Sequence, residues 1–570
     1  MKNLCWFLSV VVLLTGPGNV NGAFGQQGPP TERPNILWIS VEDISPLLGV
    51  YGDPVVETPI IDRLAAEGIM YANAFTTAGV CSPSRTAIIT GMHQSSIGAH
   101  HHRPTHTGHA HKTIPDGKPL VSEAVTPYQV VPPPYVKTFT EYLRSAGYYT
   151  TNNVKTDYNF GTPASAWDES SREAHWRNAP EGQPFFSVIN LTTTHESQVW
   201  QSELPLSVDP DSVPVPPYLP DTPVVRRDIA QMYTNIGQMD RQVGQILSDL
   251  EKDGLAENTV VFFWSDHGGT LPRQKSWVYD SGIHVPLIIR WPDHIPAGQV
   301  NEELVSFVDL APTVLSIAGV EIPAHMHGRA LLGDQTSAPP EYIYTAADRH
   351  DEVHDMMRAV RDTRFKYIRN YFPDQPYWGM NEYRHRMGIF QEILRLHAEE
   401  ELQGAAQFWM KNTRPPEELY DITEDPHEIN NLADDPGYRE ELERMREALD
   451  NWMGTIGDMG DIPEEQLKER FWPNEEQPET QTPFFVVNAA EDRARIWRRE
   501  GGEFTLPYTV QLAATTHGAS IVYTKETDKN PHWKLYTGPI RVSEPIYLRA
   551  KAVRYGFSES EEITGRFGIK

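Results

Sequence analysis

NTVVFFWSDHGG, residues 258–269, is an unbroken apolar run rich in Val and Phe that ends at once on an acid and a histidine. It lacks the polar alternation of a strand with one wet face, so it reads as a strand buried on both sides. Three other stretches have the same layout. NILWISVED (35–43) ends at Glu42 and Asp43, GYYTTNNVKTD (147–157) reaches Lys155 and Asp157, and PFFSVINLTTTHE (184–196) reaches His195. Between them lie helix-like segments, TPIIDRLAAEG (58–68) and QMYTNIGQMDRQVGQILSDLEKDG (231–254), the second with Gly254 placed to stop it. Strands alternating with helices predict an α/β fold with a mainly parallel central sheet flanked by helices. Ligands of such sheets gather beyond the carboxyl ends of the strands. The four polar ends, Asp266 and His267 included, are therefore expected to share one crevice.

The first 23 residues carry Lys2, an apolar core from Trp6 to Leu14 and small residues at Gly22 and Ala23. This is the layout of a secretory signal peptide. No later segment approaches the roughly 20 apolar residues of a membrane span. The expected location is periplasmic or secreted. Two cysteines are present, and removing the leader takes Cys5, leaving Cys81 without a disulfide partner. A 39% hydrophobic chain with 14 Trp and 24 Tyr is globular rather than disordered. A net charge of −28 with no basic run argues against nucleic acid as a partner. The same charge repels a long polyanion at distance, so an anionic substrate needs a local cationic pocket.

Cys81 stands in VCSPSRT (80–86). Ser82 suits an N-cap, Pro83 the first helical position and Gly91 the stop. The thiol would sit at a helix N-terminus, where its pKa falls, with Arg85 about one turn away. Cys-x-Pro-x-Arg, the acidic pair at 42–43, SDHGG, KSWVYDSGIHVPLIIRWP (275–292) and ELYDITEDPHEINNLADDP (418–436) occur in that order. Together they resemble the formylglycine-dependent sulfatases of the alkaline phosphatase superfamily, over roughly residues 33 to 455.

The resemblance implies an alkaline-phosphatase-like fold. It also implies that Cys81 is oxidised to formylglycine by a formylglycine-generating or anaerobic sulfatase-maturating enzyme. The hydrated aldehyde would attack through one diol oxygen. Glu42, Asp43, Asp266, His267 and the oxygen at position 81 would hold Ca²⁺ or Mg²⁺. Glu42 departs from the family's usual aspartate, and His267 stands where many relatives have Asn. Arg85 would place the diol oxygen, Lys155 and Lys275 would bind the sulfate, and His195 would protonate the leaving group. Asp157 occupies the position of a histidine that often assists hydrate collapse, and an aspartate there could serve as a base.

The stretch GMHQSSIGAHHHRPTHTGHAHKT (91–113) holds seven histidines and reads as a polar loop beside the site, with His100, His101, His102 and Arg103 as its inner part. With PPPYVKTFTEYLRSAGYYTTN (132–152) and YTAADRHDEVHDMMRAVRDTRFKYIRNY (344–371), it is similar to the N-sulfoglucosamine sulfohydrolase (heparan N-sulfatase) branch. His350, Asp351 and Glu352 would grip the sugar or simply be solvated. The expected partner is a sulfated sugar or oligosaccharide, and the expected reaction is hydrolysis of a sulfate ester or sulfamate. A phosphodiester or phosphonate hydrolase of the same superfamily is the alternative, and a silent glycan-binding protein the third reading. The expected organisation is a signal peptide (1–23), a catalytic domain (33–340), a smaller α+β C-terminal subdomain (341–460), a Pro- and Glu-rich linker (461–480) and an antiparallel β-sandwich (481–570). The last resembles the C-terminal module of bacterial chitobiases and hexosaminidases, with Trp533 and Tyr536 read as parts of a structural appendage.

Overall fold

All four apolar runs are strands, and they lie side by side. The computed structural model describes residues 33–104, 128–489 and 500–570. The runs become β1 (Asn35–Val41), β3 (Tyr149–Asn153), β5 (Phe185–Leu191) and β6 (Thr259–Ser265). With β2 (Ile69–Phe75), β4 (Glu169–Ser170), β7 (Leu287–Arg290) and β8 (Gln299–Ser306) they form one sheet of order β4-β3-β5-β1-β6-β7-β2-β8. Only β7 runs against its neighbours in this sheet. Val41 pairs level with Leu191 and with Ser265, so the residues that follow β1, β5 and β6 emerge on one edge.

Both faces are buried, which explains the continuous apolar runs. Leu37, Ile39, Val261 and Phe263 face the Pro223–Lys252 helix through Ile229, Tyr233 and Ile236. Ile36, Trp38, Phe262 and Trp264 face the other way, onto Phe139, Leu143, Leu310 and Val314. The long helix begins at Pro223, eight residues before the segment 231–254 read as helical from the sequence. Thr222 caps it by accepting the Val225 amide, and Pro223 takes the first turn.

A second, antiparallel sheet of order β12-β11-β10-β9 follows, with β9 (Ile343–Ala347), β10 (Met357–Arg361), β11 (Phe365–Asn370) and β12 (Glu417–Asp421). The Arg439–Ile456 helix lays Met445, Leu449 and Trp452 on Val360, Tyr367 and Leu419 of this sheet. At the C-terminal end, a three-stranded and a five-stranded sheet enclose Phe485, Val510, Leu548 and Phe567. Their pairings are antiparallel except that Gly501–Phe504 runs parallel to Ile563–Ile569.

This sandwich is sewn to the Phe139–Ser145 helix and its surroundings. The Tyr555 hydroxyl donates to Glu141 and meets Thr138, Lys137 donates to Gly518 O and Ser520, and Arg144 donates to Trp533 O. The Trp533 ring lies under Arg549 and Lys551, and Tyr536 packs against the sandwich core. Residues 34–570 form one compact unit. The signal peptide read at 1–23 lies outside the described residues, among which no helix is long and apolar enough to cross a membrane.

The stretch 461–480 is not a bare linker. Glu464–Phe471 is a helix that buries Leu467 and Phe471 against Met92, Ile97 and Tyr128, while Glu464 pairs with Arg349 at 2.6 Å. Pro and Glu mark its surface, but the apolar pair at i, i+4 decides its fate. Leu467→Ala is expected to lower unfolding stability by about 2–4 kcal/mol, as for a buried leucine elsewhere, and urea melts would read this as a lower midpoint. A midpoint equal to wild type would restore the linker reading.

Candidate active site

The edge where β1, β3, β5 and β6 end carries the predicted residues. Asp43 takes a left-handed backbone (φ 55°), and its amide donates to Asp266 Oδ1 at 3.2 Å. Cys81 opens the Cys81–Thr90 helix, fully buried, with Sγ 3.3 Å from His267 Nε2. The donor atoms of Asp43, Cys81, Asp266 and His267 all lie within 4.8 Å of one another.

His267 Nδ1 faces the Gly268 carbonyl at 3.0 Å and donates to it, which directs Nε2 at Asp43 Oδ1, 3.0 Å away. Two acceptors at that distance need a proton or a cation between them. Without a cation the proton stays: burial opposes it, but Asp266 and Asp43 lift His267 to about 10. A divalent cation would displace that proton, and the carboxylate oxygens suit Ca²⁺ or Mg²⁺, with the imidazole as the softer member. Glu42 stands outside this four-membered set. Its longer arm turns aside, placing Oε1 3.0 Å from Lys155 and Oε2 3.8 Å from His195, in a second cluster with Asp43 and His195.

Cations surround the acids. Arg85 donates to Asp266 (2.8 Å), Asn190 (2.9 Å) and Ser40 (3.3 Å), so its guanidinium is locked beneath the site. Lys275 is 2.7 Å from Asp43 Oδ2 and 3.0 Å from Glu196. Burial alone would push the Cys81 thiol up, but Lys155 and Lys275 together hold it well below its ordinary value. His195 fronts the cleft, with Nδ1 2.9 Å from Ser197 Oγ.

Two expectations are corrected here. Ser82 does not cap the helix, which begins at Cys81 after an extended Val80; its hydroxyl instead accepts the Arg103 amide at 2.9 Å. Asp157 is not placed to be a base. Arg103 grips it with Nε and NH2 at 3.0 and 2.8 Å, and Lys155 stands 3.6 Å away. Burial opposes ionisation, yet Arg103 and then Lys155 hold this carboxyl well below the usual range. It is ion-paired to both cations.

The histidine-rich loop divides. His102 Nδ1 lies 3.0 Å from Asp351 Oδ1, and its ring packs edge-on against His350, which is hydrogen-bonded to Ser276 beside Lys275. His100 and His101, expected among the substrate-binding residues of this loop, are both buried, ring against ring. Glu352 is exposed and accepts the Glu382 amide. His106, His109 and His111 lie outside the described residues.

Three buried residues were missed. Glu196 joins Lys275 to Arg384 (2.8 Å), and its amide donates to Asp43 Oδ2. Asn190 holds Arg85, and its only sequence signal is a polar residue near the end of an apolar strand. Arg384 gives no signal, since it arrives from a distant loop to hold Glu196 and the Lys275 carbonyl. Asp43, Arg103, Asp157, Ser276 and Asp351 all have positive φ. Such backbones cost of order 1–3 kcal/mol each, and here they gather around one cleft.

Residues 34–320 match the family model described as Sulfatase. The chain belongs to the sulfatase family. Residues 272–414 of this sulfatase also match the model described as N-sulphoglucosamine sulphohydrolase, C-terminal. The sulfatase is 41% identical over 572 residues to an "Ulvan-active sulfatase" of Formosa agariphila, covering 93% of this chain and 91% of that one. It is 28% identical over 463 residues to the human "N-sulphoglucosamine sulphohydrolase", covering 74% and 90%. In fold it is similar to a protein solved with its substrate D-glucosamine-2-N,6-O-disulfate, at a TM-score of 0.51 and 18% identity over 76% of this chain and all of that one.

Proposed function

We propose that this sulfatase, matured by conversion of Cys81 to formylglycine, hydrolyses sulfate groups on the sugars of a sulfated polysaccharide outside the cytoplasm. The observation that carries this reading is the setting of Cys81. It is buried at the head of a helix, faces Asp43, Asp266 and His267, and is flanked by Lys155 and Lys275 in a chain of strongly negative net charge. The hydrated aldehyde would supply the nucleophilic oxygen, with Cys81 Sγ marking its place. A divalent cation held by Asp43, Asp266 and His267, with Glu42 beside it, would polarise the sulfate oxygens. Lys155 and Lys275 bind the charge of the transferring group, Arg85 holds Asp266 in place, and His195 presents Nε2 to the leaving oxygen or nitrogen. Arg103, fixed by Asp157, stands beside His102 and Asp351 as the sugar-facing wall.

The 41% identity to an ulvan-active sulfatase makes ulvan oligosaccharides the first substrates to test, with N-sulfoglucosamine second. The assay is sulfate release, measured by ion chromatography on protein co-expressed with a formylglycine-generating enzyme. The expected result is release from one of these sugars, with 4-nitrophenyl sulfate turned over faster than bis(4-nitrophenyl) phosphate. A preference for the phosphodiester would replace this reading with the phosphohydrolase one.

Two further results are expected. Calcium added to chelator-treated protein raises the melting temperature, by the equivalent of about 2.7 kcal/mol at a hundredfold excess over Kd. An unmoved melt argues against the cation. Asp157→Asn lowers kcat/KM by roughly 10–100-fold by loosening Arg103 and Lys155. Because Asp157 is already ionised across neutral and mildly acidic pH, its loss leaves the shape of the pH–rate profile unchanged. A missing limb in that profile would return Asp157 to the role of base.

A further inference from the structure

Beside Ser276, next in the chain to Lys275, lies a cavity of about 170 Å³ for which the chemistry above has no use. Trp277, Tyr377, Trp378 and Trp409 ring it, and Trp378 is half-buried near a mouth where Gln375 and Pro376 are exposed. The rings brace one another: Trp409 stands nearly edge-on to Trp277 (6.1 Å, 79°) and to Trp378 (5.9 Å, 83°). Ser276, His350 and Arg384 line the cavity, and Arg384 pairs with Glu196 beside Lys275, so the cavity adjoins the catalytic cleft.

The charges on the lining are paired. Asp355 meets Arg414 at 2.6 Å, Asp348 meets Arg358 at 3.1 Å and Arg384 meets Glu196 at 2.8 Å. Burial pushes His350 well below its ordinary value, which leaves it neutral. The cavity is therefore aromatic and polar but offers an anion no spare cation. In this it is the opposite of the Lys155–Lys275 pocket next to it.

We propose that this cavity is a subsite for one uncharged sugar ring, the neighbour of the sulfated residue in the glycan substrate. The inference deepens the glycan reading above and rests on it. The half-buried Trp378 ring suits the C–H face of a pyranose, and the exposed Gln375 amide supplies partners for its hydroxyls. The volume falls below the roughly 300–1,000 Å³ of pockets for drug-sized ligands, so it admits a single ring. A sulfated or carboxylated ring would bring an unpaired charge into an aromatic enclosure, which is strongly disfavoured. The two spaces together would select a sulfated residue joined to an unsulfated one.

The test uses the full chain in its unmatured cysteine form, which cannot turn over substrate. Isothermal titration with methyl glycosides of an uncharged hexose and an uncharged pentose should show saturable, millimolar binding to at least one. Sodium sulfate, which belongs in the neighbouring pocket, should not compete. Trp378→Ala should weaken that binding at least about tenfold, and Trp378→Phe should restore most of it, with circular dichroism showing both variants folded. In matured enzyme, Trp378→Ala should lower kcat/KM on a sulfated disaccharide relative to 4-nitrophenyl sulfate by at least about tenfold. The absence of saturable binding by wild type, or equal binding by wild type and a folded Trp378→Ala, overturns the subsite. If no sulfate is released from any substrate while glycosides still bind, the catalytic reading fails and the sugar site stands.

Discussion

Cys81→Ala protein, co-expressed with the generating enzyme, should melt close to wild type and hydrolyse sulfate esters roughly 10⁴–10⁶ times more slowly. The two halves of this expectation have separate causes. Position 81 is fully buried, but Ala differs from the cysteine by one sulfur atom and from the hydrated aldehyde by two oxygens, so the void is small and its stability cost is about 1 kcal/mol. On the proposed reading, activity depends instead on the formylglycine nucleophile that Cys81 would become. In the proposed roles, Arg85, Lys155, Lys275 and His195 would remain in place to bind sulfate, which would leave a residual rate but no covalent route. In wild type, the tryptic peptide containing Cys81 should weigh about 18 Da less than its cysteine form, as thiol-to-aldehyde conversion requires. An intact thiol in active protein would sink the formylglycine reading, and full activity in Cys81→Ala would sink the site.

Lys275→Ala should damage both stability and rate. The Lys275 side chain is 2% exposed, and its ammonium is shared by Asp43 and Glu196. Removing it leaves Glu196 to Arg384 and Asp266 to Arg85, and strands Asp43 with His267 as its remaining ion-pair partner among the described residues. Breaking a buried pair from one side costs about 3–5 kcal/mol, because the surviving charge stays desolvated. Lys155→Ala should cost less, since Lys155 is 14% exposed at the cleft and water can reach its partners. Calcium should recover part of the Lys275→Ala loss by supplying charge beside Asp43. The rate should fall by a further factor of about 10²–10³, the range for removing one group that stabilises developing charge. A Lys275→Ala melt indistinguishable from wild type would show that the acids are not held as described.

Strand order cannot be read from composition, yet the convergence of Glu42, Asp43, Lys155, His195, Asp266 and His267 could be. Each ends a run whose two buried faces demand the same sheet. What could not be read lies in pairs far apart along the chain. His102 meets Asp351, and Arg103 meets Asp157, through loops whose path no periodicity records. Arg384 reaches Glu196 in the same way. Ser82 misled because Ser-Pro suits a helix start two residues later than the true one. Pro83 is tolerated within the first turn, where amides have no helical partner. The 461–480 stretch misled because its charged residues outnumber Leu467 and Phe471, although those two decide where it packs.

The seam between the terminal sandwich and the Phe139–Ser145 helix bears on how the molecule would travel through a polysaccharide gel. A module hung on a loose tether sweeps a sphere of positions and lets its enzyme graze wherever the tether reaches. Tyr555, Lys137 and Arg144 abolish that freedom by clasping the two parts at a constant angle. The particle should tumble with one rotational correlation time. Any fibre that touched the sandwich's outer surface would then lie at a fixed distance and bearing from Cys81, as work lies before a tool clamped to its bench.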